Sequence, residues 1–378
     1  TRIGARAYRT GSFFFLLSRM LGTAAKLYLV CLILHTYVFQ EMNAPFWTIA
    51  VGSVALVWIY TYKSGIKTIV WTDTLQTFCL ITALVFIIYF TIQKLDLNFS
   101  GIVQTIQNSG HSRIFVLDDW MSRQNFFKQF FSGIFIVIVM TGLDQDMMQK
   151  NLSCRNLREA QKNMYCYGFS FIPLNFLFLC LGILLITLAG QMQLELPAMN
   201  DDILPMFATQ GYLGQSVLIL FTIGIIAAAF SNSDSALTAM TTSVCVDLLD
   251  TGKDTEETAR RKRNKVHISL SILLAFFICL VEMLDNKSVI DAIYIIASYT
   301  YGPLLGMFAF GLFTRRLTDD RLVPFIAIAS PLLCYALNWW IAKETGYKFG
   351  YELLMLNGTL TFAGLMFMSG KAKTLEIS

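Results

Sequence analysis

Charged residues are scarce in this sequence. Asp, Glu, Lys and Arg make up only 14% of its 378 residues, against about 25% in soluble domains, and 55% of the chain is hydrophobic. Histidine is also rare, with three residues, and the eight cysteines show no CxxC spacing. These deficits exclude an ordinary soluble domain and argue against a disulfide framework or a zinc site. No linker divides the chain, so we predict one transmembrane domain over residues 1–378.

Long apolar runs fill most of the sequence instead. A run such as PLNFLFLCLGILLITLAG (173–190) is too long and too apolar for an ordinary core element. Each predicted span holds the approximately 20 residues needed to cross a ~30 Å hydrocarbon layer. We therefore predict an all-α polytopic membrane protein with about ten transmembrane helices. The predicted spans are 12–39, 43–62, 66–93, 129–149, 163–190, 213–249, 265–284, 288–314, 321–342 and 353–369.

Positive charge is distributed unequally between the two sets of loops. When loops are assigned alternately to two sides, twenty of the 29 Lys and Arg residues fall on one side and seven on the other. By the positive-inside rule the richer side is cytoplasmic. We therefore predict a multi-pass protein of the cell membrane with both ends of the chain cytoplasmic. The net charge of +4 follows this topology and does not indicate a nucleic-acid partner.

The sixth predicted span contains a carboxylate, within the stretch FSNSDSALTA (230–239). On a helical wheel, Asp234 falls on one polar stripe about 100° wide with the hydroxyls of neighbouring turns. Hydroxyl stripes often serve only to pack helices, but a carboxylate inside the membrane is expensive and usually functional. Oxygen ligands suit hard cations such as sodium. The stripe consists of Ser231, Asp234, Ser235, Thr238 and Thr242.

Two further groups of charges lie near predicted span ends. Asp73 follows Lys67 by six residues, and one interpretation is an interfacial acid paired with a loop cation. Asp144, Asp146 and Lys150 can likewise be ordinary interface charges, since their spacing alone indicates no chemistry.

Three segments carry a resemblance to a known family: GIKTIVWTDTLQT (65–77), TGLDQDMMQKNLS (141–153) and FSNSDSALTAMTTSVCVDLL (230–249). They resemble the solute:sodium symporter family, and YGPLLGMFAFGLFTRR (301–316) fits its tenth core helix. The resemblance implies a leucine-transporter-like inverted-repeat helical bundle that works by alternating access. The first span resembles the third core helix of the family. The chain is therefore expected to lack the first two core helices and to be N-terminally truncated relative to the family.

The resemblance also implies two sodium sites. The conserved site corresponds to the Ala228 carbonyl with Ser231 and Asn232, where Asn232 replaces the usual hydroxyl residue. A second site, present in some members, corresponds to Asp73, Ser231, Asp234 and Ser235. Many members have a hydroxyl residue where this chain has Asp234, so two carboxylates would flank one cation, or would share a proton.

Candidate solute-binding residues are Lys26, in the middle of the first span, and Met140 and Thr141 on the sixth core helix. Arg19 and Lys26 are seven residues apart and share one helix face. Lys26 can receive a carboxylate, or can be a structural partner for an interior acid. We therefore predict a sodium-coupled symporter for a small organic solute, such as an anionic sugar or a carboxylate. The alternative is a proton-coupled transporter that uses Asp73 and Asp234. An enzyme is not expected, because no histidine forms a nucleophile–base pair.

Overall fold

The computed structural model describes residues 3–39, 42–61, 66–110, 112–113, 115–198, 200–283, 289–316 and 318–370. Within these ranges the chain forms thirteen α-helices, and π-helical turns extend three of them. The helices are α1 (Ala5–Ile33), α2 (Phe46–Thr61), α3 (Ile66–Leu95), α4 (Phe99–Asn108), α5 (Phe126–Val137), α6 (Gln145–Leu152), α7 (Leu157–Gln191), α8 (Ile203–Thr209), α9 (Gln215–Ser243), α10 (Glu256–Glu282), α11 (Val289–Phe313), α12 (Val323–Thr345) and α13 (Leu353–Phe367). The π-helical turns are Leu34–Val38, Ile138–Gly142 and Val244–Leu248, after α1, α5 and α9.

The predicted spans correspond to ten of these helices. In the described part of the chain, seven helices are long and apolar enough to cross a membrane, and three shorter apolar helices correspond to α2, α5 and α13. The short helices α4, α6 and α8 were not predicted as separate elements. Helix α10 also begins earlier than predicted, at Glu256, because the charged segment before the apolar run continues the same helix.

The fourth predicted span is wrong as a single continuous helix. Helix α5 ends at Val137, a π-helical turn runs to Gly142, and α6 begins only at Gln145. Asp144 lies in this gap, is 2% exposed, and forms an ion pair with Arg19 of α1. A buried carboxylate needs such a partner, and the break in the helix places it there. The interpretation of Asp144 as an ordinary interface charge is therefore also wrong.

Helices α1 and α9 lie at the centre of the bundle. Helix α9 packs against α1, α2, α3, α6, α8 and α10, and α1 also packs extensively against α11. One hydrophobic cluster joins α1, α2, α9 and α10, and a second joins the end of α1 to α3, α7, α8 and α9. Outer helices such as α7 and α12 expose large apolar side chains, including Phe169, Ile172 and Phe325. Such all-round apolar surfaces are typical of helices that face lipid.

Three of the segments predicted to share one side of the membrane meet at one end of the bundle. Asp320 accepts hydrogen bonds of 2.7 Å from the backbone N–H groups of Arg6 and Ala7, and so caps α1 from a distant loop. At the same end, Tyr8 donates to Asp247. At the opposite end, the Lys128 ammonium lies over the Tyr347 ring. Which end is cytoplasmic stays a prediction.

Glycine allows α11 and α13 to approach closely. A Cβ atom on Gly306 would lie 2.5 Å from the Cβ of Thr361 and 2.6 Å from the carbonyl oxygen of Gly358. Such distances are shorter than any normal contact, so the packing of these two helices requires glycine at this position. Gly311, one and a half turns further along α11, faces open space instead.

Candidate functional site

Asp234 lies at the centre of the bundle on α9 and is fully buried, with 0% relative exposure. Neither of its carboxylate oxygens has a hydrogen-bond partner within the described residues, and the same is true of the neighbouring Ser235 Oγ. Buried carboxylates are normally paired or bound to a cation, because an uncompensated buried charge is strongly destabilising. The site therefore offers oxygen ligands that a cation would satisfy.

Asp73 approaches this region from α3, which packs extensively against α9. Its Oδ1 accepts a hydrogen bond from Ser231 Oγ, and its Oδ2 accepts one of 2.8 Å from the Lys150 ammonium of α6. The Asp73 and Lys150 side chains are 29% and 27% exposed, so the ion pair is partly open to solvent. Asp73 is thus paired with a cation, as one of its two interpretations expected, and the cation is Lys150.

Asp234 interacts electrostatically with both Asp73 and Lys150. The cluster therefore contains two carboxylates and one ammonium group, and the ionised side chains sum to one negative charge. One monovalent cation would neutralise this set. Hydroxyl and carboxylate oxygens are hard ligands of the kind that sodium accepts. The structure thus brings together four predicted ligands, Asp73, Ser231, Asp234 and Ser235, around the interface of α3 and α9.

The other predicted sodium site is arranged differently. The Asn232 side-chain amide donates a hydrogen bond of 3.0 Å to the Ala228 carbonyl, and Asn232 itself is exposed. Ser231 is buried and is directed to Asp73 instead. The three residues lie within about one turn of α9, and in this structure the Ser231 hydroxyl and the Asn232 amide are engaged with different partners.

Lys26 and Met140 line one small cavity between α1, the π-helical turn after α5, and α11. Arg19 and Tyr301 also line it, which confirms that Arg19 and Lys26 share a helix face. Lys26 forms no salt bridge within the described residues. The cavity volume is about 20 Å³, room for about one water molecule. Thr141 is half-buried next to Met140 but does not line the cavity.

Arg19 and Asp144 form a charged pair beside this cavity, with 2.5 Å between Arg19 Nη1 and Asp144 Oδ2. The Asp144 side chain is 3% exposed and the Arg19 side chain 18%. Sequence reasoning did not find this pair, although the two mid-span cations were a signal that an interior acid existed. Lys26 also interacts electrostatically with Asp144. Both interpretations of Lys26, a solute contact and a structural partner for an interior acid, therefore stay open.

The family profile described as "Sodium:solute symporter family" matches residues 29–320, well over half of the chain. The chain belongs to the sodium:solute symporter family. Membership confirms the prediction of a sodium-coupled symporter that carries a small-molecule solute. It also confirms the expectation of a transporter and not an enzyme.

Three relatives show how far this similarity extends. The sodium/sialic acid symporter NanT of Aliivibrio fischeri is 23% identical over 383 residues, covering 95% of this chain and 72% of that protein. The sodium/iodide cotransporter of Homo sapiens is 22% identical over 353 residues, covering 89% of this chain and 52% of that protein. The sodium/sialic acid symporter SiaT of Proteus mirabilis is 24% identical over 287 residues, covering 72% and 56%.

A solved structure confirms the fold. A Na⁺-coupled sialic acid symporter, in a substrate-bound outward-open state, matches with a TM-score of 0.77 at 19% identity. The match covers 97% of this chain and 74% of that one. The predicted leucine-transporter-like helical bundle is therefore correct. The expected lack of the first two core helices, and the single-domain assignment, stay predictions.

Proposed function

We propose that Asp73, Ser231, Asp234 and Ser235 bind the sodium ion that drives transport. The observation that carries this proposal is the Asp234 carboxylate, which is fully buried and has no hydrogen-bond partner in the described part of the chain. Asp73 and Ser231 reach the same region from α3 and α9. A sodium ion there would neutralise the cluster and would be coordinated by the oxygens that have no hydrogen-bond partner.

The conserved site at Ala228, Ser231 and Asn232 is a separate part of the proposal. Because Asn232 donates to the Ala228 carbonyl in this structure, its amide would have to rotate before both oxygens could face one ion. We assign the stronger sodium affinity to the Asp234 site, because its carboxylates carry formal negative charge. The ligands of the conserved site, Ala228, Ser231 and Asn232, are all neutral.

Sodium binding can be measured without knowledge of the solute. The protein, purified in detergent, would be unfolded thermally in sodium chloride and in N-methyl-D-glucamine chloride at equal ionic strength. We expect sodium to raise the melting temperature, and Ser235→Ala to weaken this response. A rise in melting temperature on acidification that sodium does not increase would favour the proton-coupled alternative. No response to sodium in the wild type would refute the site.

We propose that the solute is a small anion, such as an anionic sugar or another carboxylate. Lys26 supports this, because it lines the cavity between α1 and α11 and forms no salt bridge within the described residues. Arg19 contributes a second cation to the same wall, although Asp144 compensates it. The relatives' names point in the same direction, since sialic acid and iodide are both anions.

The cavity of about 20 Å³ is too small for a sugar, so solute binding requires movement of the helices that line it. Such movement is what alternating access supplies, as one group of helices rocks against the other.

The inward transfer of each unit charge gains about 2.3 kcal/mol per 100 mV of membrane potential. We place both ends of the chain in the cytoplasm of a cell bounded by this membrane, on the distribution of positive charge.

A panel of solutes tests the anion assignment. Thermal unfolding in sodium would be compared for sialic acid, a neutral hexose, a simple monocarboxylate and iodide. We expect stabilisation by at least one anion and none by the neutral hexose, with the effect reduced by Lys26→Gln. Stabilisation by the neutral hexose alone would contradict an anionic solute and leave the sodium assignment intact.

A further inference from the structure

Lys150 stands out because it contacts a proposed sodium ligand directly. Its ammonium group donates a 2.8 Å hydrogen bond to Asp73 Oδ2, while Ser231 donates to Oδ1. The ammonium group therefore neutralises one of the two acids in this structure. Asp234 is left as the acid without a hydrogen-bond partner.

We propose that Lys150 is a tethered cation that sodium displaces from Asp73. The proposal rests on the sodium site described under Proposed function. When the site is empty, Lys150 holds Asp73; when sodium binds between Asp73 and Asp234, the ion takes over Asp73 and Lys150 withdraws. The ammonium group stays charged throughout, so the exchange is one cation for another and involves no proton.

The pair is built to separate easily. Both side chains are more than a quarter exposed, and solvent screening makes such ion pairs weak. A sodium ion between the two carboxylates is attracted more strongly than the ammonium group on Asp73 alone, because Asp234 is buried where solvent screening is small. Sodium and the ammonium group also repel each other at neighbouring positions on one carboxylate, which favours withdrawal of Lys150.

The structure provides space for the displaced side chain. A groove of about 720 Å³ between α3, α6 and α7 is lined by both members of the pair and by Thr77, Ser153 and Asn163. The Thr77 and Ser153 hydroxyls donate to carbonyl oxygens of their own segments. Their oxygen lone pairs can therefore accept from an ammonium group. Lys150 can thus leave Asp73 without losing its polar contacts.

The experiment measures the exposure of the Lys150 amine directly. Purified protein would be treated briefly with an amine-acetylating reagent in sodium chloride or in N-methyl-D-glucamine chloride, and each lysine quantified by mass spectrometry. We expect sodium to increase Lys150 modification several-fold, over the concentration range in which it stabilises the protein. Lys253, an exposed partner of Asp250 far from the site, should not respond.

Two variants complete the test. In Asp73→Asn, Lys150 should react strongly with or without sodium, because its anchor is gone. Lys150→Gln should lower the sodium dissociation constant measured by thermal unfolding several-fold, whereas Lys150→Arg should stay near the wild-type value. If sodium stabilises the wild type but leaves Lys150 modification unchanged, Lys150 stays bound to Asp73 and this inference is wrong. If sodium does not stabilise the wild type, the sodium site itself fails instead.

Discussion

Replacing Asp234 with asparagine removes one negative charge from the middle of α9 and hardly changes the shape of the side chain. Asp234 is fully buried, and neither oxygen has a hydrogen-bond partner in the ranges that the structure describes. An uncompensated buried charge costs several kcal/mol, whereas an unsatisfied buried amide costs ~1–3 kcal/mol. Without sodium, we therefore expect Asp234→Asn to be more stable than the wild type by about 1–3 kcal/mol.

Sodium should reverse this order. A ligand that binds only the folded state stabilises it by about 2.7 kcal/mol at 100 times its dissociation constant. The wild type should gain this amount as sodium is added, and Asp234→Asn should gain little of it. Thermal unfolding in detergent, with sodium exchanged for N-methyl-D-glucamine at constant ionic strength, measures both effects in one series.

Asp250→Asn is the matched control for this substitution. It makes the same chemical change at an exposed acid that pairs with Lys253, so its sodium response should equal that of the wild type. Two results would refute the reasoning about Asp234. Lower stability of Asp234→Asn in sodium-free buffer would mean that the acid already has a compensating partner. A wild-type sodium response in Asp234→Asn would place the ion elsewhere, for example at Ala228.

Three further substitutions have expected outcomes. Lys26→Met should weaken binding of an anionic solute ~10-fold or more, because a charged hydrogen bond contributes ~1.5–3 kcal/mol; calorimetry in sodium measures it, and equal affinity would contradict a solute contact. Asp144→Asn should destabilise by ~3–5 kcal/mol, because the Arg19 guanidinium, only 18% exposed, loses this carboxylate, whereas Asp118→Asn at an exposed pair should cost under ~1 kcal/mol. Gly306→Ala should destabilise by ~1–3 kcal/mol through overpacking, and Gly311→Ala, in open space, should not; equal melting temperatures would contradict the close helix contact.

The helical fold was predictable because its cause is local. Long apolar runs require helices in a membrane, since each backbone polar group must be satisfied within its own segment. The break after α5 was not predictable in the same way. The sequence around Gly142 and Asp144 carries no proline, and its apolar pattern continues without interruption. The reason for the break lies in a distant helix, where Arg19 supplies the partner of Asp144. The start of α10 at Glu256, within a charged segment, was missed for a different reason. Hydropathy indicates which part of a helix crosses the membrane and does not indicate where the helix begins.

The candidate site was predictable only in part. Asp234 was found from the sequence because a carboxylate in an apolar span is conspicuous wherever its partners lie. The partners themselves depend on tertiary structure. Lys150 and Asp73 are separated by 77 positions, and Asp144 and Arg19 by 125. No spacing rule connects such residues, because the contact is set by how α1, α3 and α6 pack and not by the period of any one helix.

These two long-range ion pairs meet in one short segment. Asp144 and Lys150 lie on either side of the first turns of α6, and they reach α1 and α3 respectively. Met140, which lines the Lys26 cavity, lies just before them in the π-helical turn. The segment from Met140 to Lys150 therefore connects the Lys26 cavity covalently to the partner of Asp73. Because coupling requires that each site changes the free energy of the other by the same amount, a cation exchange at Lys150 would act on a segment that touches both.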